Sequence, residues 1–108
     1  MEDNDVVRAL GALAQTHRLQ CFRALVVAGP EGLTPGDLTG RLAIAPATLS
    51  FHLKALTQAG LISPTRDGRS LVYRANVVQM NALLAFLTDN CCQGQPCGID
   101  SPTNPCKC

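Results

Sequence analysis

The chain reads as a mainly α fold with one small β-hairpin, in the order α-α-α-α-β-β-α. Three observations predict it. Apolar residues recur at helical spacing through most of residues 6–90. Gly, Pro, Thr and Asn stand where helices must start or stop. One Asp-Gly pair, Asp67-Gly68, lies between two short β-prone runs.

Val6, Val7, Leu10, Leu13 and Ala14 mark the first helix, with Asp3, Asn4 or Asp5 as its cap. Thr16 reads as the cap of a second helix that turns Leu19, Phe22, Leu25 and Val26 to one face and stops at Gly29-Pro30. Thr34-Pro35, a cap followed by proline at the first helical position, starts a short third helix running to about Leu42. After the tight connection Ala43-Ile44-Ala45, Pro46 opens a fourth helix. Its Leu49, Leu53 and Leu56 face inward, and Thr48, Ser50, His52 and Lys54 form the outward polar set. Gly60 supplies a left-handed stop. Two short helices joined by a three-residue turn make a helix-turn-helix.

Leu61-Ile62 and Leu71-Val72-Tyr73 then flank the turn residues Thr65-Arg66-Asp67-Gly68-Arg69. A hairpin in this place is a wing, so the fold class is a winged helix-turn-helix. Asn76 caps a last helix, Val77 to about Asn90, carrying Val77, Met80, Leu83, Leu84, Phe86 and Leu87. Past Cys91, prolines, glycines and small polar residues argue against helix or strand. Two segments result: a winged helix-turn-helix domain over 1–90, expected below to bind DNA and dimerise, and a cysteine-rich tail over 91–108, expected below to bind a metalloid.

Composition narrows the function. The chain has 108 residues, 46% of them hydrophobic and only 4% aromatic, a balance suited to helical packing in one domain. No apolar run approaches a membrane span and the start MEDND is no signal peptide, so the expectation is a cytoplasmic protein with no membrane partner. Thiols stay reduced there, which favours metal binding or redox activity over a disulfide framework. An enzyme is not expected: none of the five tail cysteines has a histidine near it in sequence, and there is no Gly-rich phosphate loop or paired-carboxylate motif.

Net charge is only +1, yet Arg41, Lys54, Arg66, Arg69 and Arg74 face a single acid, Asp67, across the middle of the chain. Such a local excess suits a polyanion; the plain alternative is a solvated charged face. A helix entering the major groove of double-stranded DNA needs short polar and basic side chains near its N-terminus. Ala47, Thr48, Ser50, Phe51, His52 and Lys54 meet that need. Phe51 is exposed by spacing and within reach of a thymine methyl, or else fills a gap beside the wing. His52 bonds a phosphate or takes a structural role on a neighbouring carbonyl. Arg66 and Arg69, at the hairpin tip, suit phosphate or minor-groove contact, or simply solubilise the turn.

Ser50-Phe51-His52-Leu53-Lys54-Ala55-Leu56 with Ala59-Gly60-Leu61-Ile62, then Arg66-Asp67-Gly68-Arg69 and Tyr73, resembles the ArsR/SmtB metalloregulators. Ala12-Leu13-Ala14 with His17-Arg18-Leu19 is similar to that family's second-helix opening, and the resemblance spans roughly residues 8–90. It implies a homodimeric repressor whose first and last helices form the interface, with Leu10, Met80, Leu83, Leu84 and Leu87 as its apolar residues. The family's known inducer sites are missing. Thr34 and Gly36 stand where arsenic sensors carry a cysteine pair, the last helix has no histidine and only Asp89, and nothing before Cys21 is a cysteine. Cys21 itself is expected to be a small buried hydrophobe.

Five of the six cysteines remain: Cys91, Cys92, Cys97, Cys106 and Cys108. The first three fall within Cys91-Cys92-Gln93-Gly94-Gln95-Pro96-Cys97, a loop short enough to close on one ion at modest entropic cost. Three thiolates favour a thiophilic three-coordinate centre, As(III) or Sb(III); adding Cys106 or Cys108 makes four and admits zinc, cadmium or lead. The Cys-Cys…Cys arrangement also resembles an ArsR subgroup that binds arsenite just beyond the last helix, with ligands at Cys91, Cys92 and Cys97. The expected function is an As(III)-responsive repressor. The alternatives are a thiol-redox or soft-metal (Cd/Pb/Zn) repressor of the same fold, and a metal-binding module without DNA binding.

Overall fold

The computed structural model describes residues 1–89. They form α1 (Asp3–Leu13), α2 (Thr16–Ala28), a single 3-10 turn η1 (Gly29–Glu31), α3 (Pro35–Leu42), α4 (Pro46–Gln58), strands β1 (Ile62–Asp67) and β2 (Ser70–Ala75), and α5 (Val77–Leu87). The predicted order is therefore observed. The starts of the first two helices differ from expectation by one residue. Glu2 caps α1 in a reciprocal pair with Asp5, and Gln15 caps α2 by accepting the Arg18 amide. Thr34 caps α3 as expected, accepting from the Asp37 amide while Asp37 accepts from the Thr34 amide. The Thr34 backbone and side-chain hydrogen bonds hold the exposed Asp37 carboxyl below its usual pKa, the backbone contact being the larger cause.

Leu25, Leu38, Leu49, Leu53, Leu56, Leu61 and Cys21 are the fully enclosed side chains around which α2, α3 and α4 meet. α1 adds Val6, Ala9 and Ala12, a narrow stripe of small residues, rather than the Val7 and Leu10 positions read from spacing. α2 likewise buries Cys21, Phe22 and Leu25 and leaves Leu19 and Val26 outside. The wing is longer than its apolar runs suggested. β1 and β2 pair antiparallel from Ile62↔Ala75 to Asp67↔Ser70, so Thr65 and Arg66 are strand residues and only Gly68-Arg69 turn the chain. Gly68, with φ 62°, supplies the positive φ that such a tight turn demands at its first central position.

A third backbone segment steadies the wing. Leu33 bridges Tyr73 through two hydrogen bonds of 3.0 and 2.8 Å, and Arg74 Nε donates to the Pro30 carbonyl at 2.7 Å. At the other side Asn76 caps α5 by accepting the Gln79 amide, and its side-chain amide donates to the Gly60 carbonyl at 3.0 Å. One residue thus ties the start of α5 to the end of α4. α5 closes at Leu87, three residues before the expected Asn90. No helix among the described residues is long and apolar enough to cross a membrane.

Candidate nucleic-acid interface

α3, the turn Ala43-Ile44-Ala45 and α4 build the helix-turn-helix. Ala43 takes the left-handed conformation (φ 54°) that ends α3, Ile44 is buried in the core, and Pro46 restarts the chain as α4. No side chain caps α4, so the amides of its first turn are left to another acceptor, as at helix ends that meet phosphates. Ala47, Ser50, Phe51 and Lys54, at helical spacing, share an exposed face, with Thr48 exposed beside them. Between this helix and the wing runs a cleft lined by Ser50, Lys54, Gln58, Pro64 and Tyr73. Arg66 near the hairpin end and Arg69 in its turn are both exposed. The geometry offers a protruding helix with short polar side chains and a basic wing beyond the cleft, which is what groove reading and phosphate contact require.

Of two candidate residues on α4, His52 sits differently from expectation and Phe51 keeps the exposed place its spacing gave it. His52 is not part of the outward set: it is 5% exposed and lies on the inner side of α4 with Leu49, Leu53 and Leu56. Its Nδ1 accepts a long hydrogen bond, 3.4 Å, from Arg18 Nε of α2. The His17 ring meets it edge-on at 5.6 Å. Burial, then the charge of Arg18 and His17, lowers its pKa and keeps it neutral and unavailable to a phosphate. Phe51 is 62% exposed, and it is not among the residues lining the cleft beside the wing; the Arg18 guanidinium lies over its ring at 5.6 Å. Arg18 is the residue that sequence reasoning missed, because nothing in local spacing links α2 to α4. Arg74, counted with the basic excess, is already engaged by Pro30.

The structure is equally specific about the thiols it describes. Cys21 is fully buried and free, and burial pushes its thiol pKa up, as suits a core residue. Thr34 is a helix cap and Gly36 lies in the first turn of α3. Among the described residues, no three His, Cys, Asp or Glu side chains lie together as a metal site would need. Cys91, Cys92, Cys97, Cys106 and Cys108 lie outside the described residues. Of the expected dimer-face residues, Leu10, Leu84 and Leu87 are exposed and Met80 is half-buried. Leu83, at 5% exposure, belongs to the chain's own core and is not open to a partner.

Comparison with known proteins agrees with this geometry. A family profile described as a helix-turn-helix domain matches residues 13–65. The transcriptional activator HlyU of Vibrio cholerae is 30% identical over 95 residues, 86% of this chain and 85% of HlyU. Its structure, described as reduced HlyU, superposes with a TM-score of 0.64 at 28% identity, covering 83% of this chain and 92% of that one. An ArsR-like transcriptional regulator from Rhodococcus sp. RHA1 gives a TM-score of 0.70 at 25% identity, over 78% of this chain and 76% of the other. The winged helix-turn-helix domain of Mb0332 from Mycobacterium bovis, described as homodimeric and as a possible ArsR-family regulator, gives 0.62 at 26% identity, over 83% and 89%.

Proposed function

The chain belongs to the ArsR family of winged helix-turn-helix transcriptional regulators, and from that premise we propose that it is an As(III)-responsive repressor. It binds double-stranded operator DNA as a homodimer and leaves it when arsenite is captured by Cys91, Cys92 and Cys97. The observation that carries this reading is the thiol triplet itself, which begins at Cys91 just past the end of α5 at Leu87. Three thiols condense with As(OH)3 to give an As–S3 centre and three waters, a stoichiometry that one tail satisfies without a partner. Sb(III) has the same chemistry, and recruiting Cys106 or Cys108 would make a four-thiolate site suited to cadmium, lead or zinc.

Dimerisation is supported by the homodimeric neighbour and by the exposed Leu10, Leu84 and Leu87 on the first and last helices. A two-fold dimer sets its two α4 helices about 34 Å apart on a symmetric operator. Capture of As(III) by these thiols disfavours that spacing. A coupling of about 1–3 kcal/mol weakens DNA binding roughly 5- to 150-fold. Repression, as opposed to the activation named for HlyU, is part of the proposal.

A second reading, induction by disulfide formation in the tail, has one observation in its favour: the Vibrio cholerae relative has a structure described as its reduced form. X-ray absorption on the arsenite-treated, reduced protein distinguishes the two. About three sulfur neighbours per arsenic are expected, with fewer in each of Cys91→Ser, Cys92→Ser and Cys97→Ser. An arsenic surrounded by oxygen only, or three sulfurs retained in the triple variant, would overturn the assignment.

A further inference from the structure

α4 presents Phe51 as its one large exposed apolar side chain, 62% open to solvent in the middle of the candidate DNA face. An aromatic ring so placed would ordinarily swing between rotamers, and ordering it on DNA would cost entropy. Here the ring is already held. The Arg18 guanidinium stands 5.6 Å from its centroid, within cation–π range. Arg18 is in turn fixed at both ends: its amide donates to Gln15 Oε1 at 2.9 Å, and its Nε donates to His52 Nδ1 at 3.4 Å. His52 meets the Phe51 ring edge-on at 5.8 Å, so one guanidinium from α2 grips two consecutive residues of α4, one facing in and one facing out. We propose that Arg18 is a positioning residue for DNA reading, holding Phe51 in the pose that meets a thymine methyl at the base edges. This rests on the reading of α4 as the helix that enters the major groove.

The test is a double-mutant cycle between Arg18→Lys and Phe51→Leu. A duplex selected by the full-length protein from a random pool serves as one probe, and a scrambled duplex as the other. Lysine keeps the charge but loses the planar group and the Nε donor. Arg18→Lys is expected to weaken binding to the selected duplex about fivefold, with little change on the scrambled one and an unchanged salt slope. In the Phe51→Leu background the same change is expected to have almost no effect. Equal weakening on both duplexes with the slope reduced by about one would make Arg18 a phosphate contact and overturn the proposal. A loss that persists in full in the Phe51→Leu background would overturn it too. Urea midpoints of all four proteins separate a loss of folding from a loss of reading. If no sequence is enriched from the pool, the DNA-reading premise fails and the proposal falls with it before the cycle is run.

Discussion

His52 carries its chemistry on the inside of the helix that was expected to show it outside. Enclosed and facing Arg18 and His17 of α2, it gains nothing from a proton, and its pKa falls below the usual 6.5. The linkage sign follows. Between the folded pKa and about 6.5 the unfolded chain binds more protons at this position than the folded one, so stability rises with pH there. The contribution is complete above about pH 6.5 and is lost as pH falls from there through the lower folded pKa. Urea unfolding at about pH 7.5, 6.5 and 5.5 should show this slope, and His52→Asn, which keeps an acceptor near Nδ1, should flatten it. Parallel slopes in the two proteins would contradict the assignment. The residue-level signal was in the sequence: His52 is three residues from Leu49 and four from Leu56, the spacing of one helical face. Grouping it with Ser50 and Lys54 followed polarity instead of period. A second contrast belongs to this scale. Arg66→Ala and Arg69→Ala should each lower the salt slope of DNA binding by about one, whereas Arg74→Ala, whose guanidinium is engaged by Pro30, should not.

Among the elements, the wing depends most on what spacing does not reveal. Its strands were legible from Asp67-Gly68 and the flanking β-prone residues, but its anchorage was not, since Leu33 and Tyr73 are forty residues apart. Gly32 shows why the anchor is close. Its φ of 66° with ψ of −174° is a conformation left almost entirely to glycine, and a β-carbon there would stand 2.5 Å from the Tyr73 carbonyl oxygen. Gly32→Ala should therefore cost about 1–3 kcal/mol in chemical denaturation, from the backbone conformation alone. Thr34→Ala at the neighbouring helix start should cost about 1 kcal/mol by leaving the Asp37 amide without its cap. A midpoint shift larger for Thr34→Ala than for Gly32→Ala would contradict this ranking. The helix starts at Thr34-Pro35, Pro46 and Asn76 were readable because capping and proline chemistry are local. The buried face of α1 was less so, because Ala9 and Ala12, not the larger Val7 and Leu10, make the close contacts; on α2 Cys21, Phe22 and Leu25 lie inside as expected while Leu19 and Val26 stay outside.

At the scale of the whole molecule, the described residues form a candidate DNA face made of α4 and the wing, and exposed leucines on α1 and α5 that suit a second copy. Changing Leu87→Asp should shift sedimentation towards monomer and weaken operator binding, because two half-sites then bind without mutual help. The proposed division of labour rests on where the cysteines are and are not: Thr34 and Gly36 stand where the family resemblance would put a cysteine pair, and five thiols collect from Cys91 onward. In the proposed function the coupling to α4 would run through α5, whose first turn is tied to Gly60 by Asn76. The most direct test of the central claim is anaerobic titration of the reduced protein–operator complex with arsenite, following DNA release and thiolate–arsenic absorbance together. Release that saturates near one arsenic per chain, with both signals lost in the Cys91→Ser/Cys92→Ser/Cys97→Ser variant, is the predicted result. DNA that stays bound with no new absorbance would contradict it.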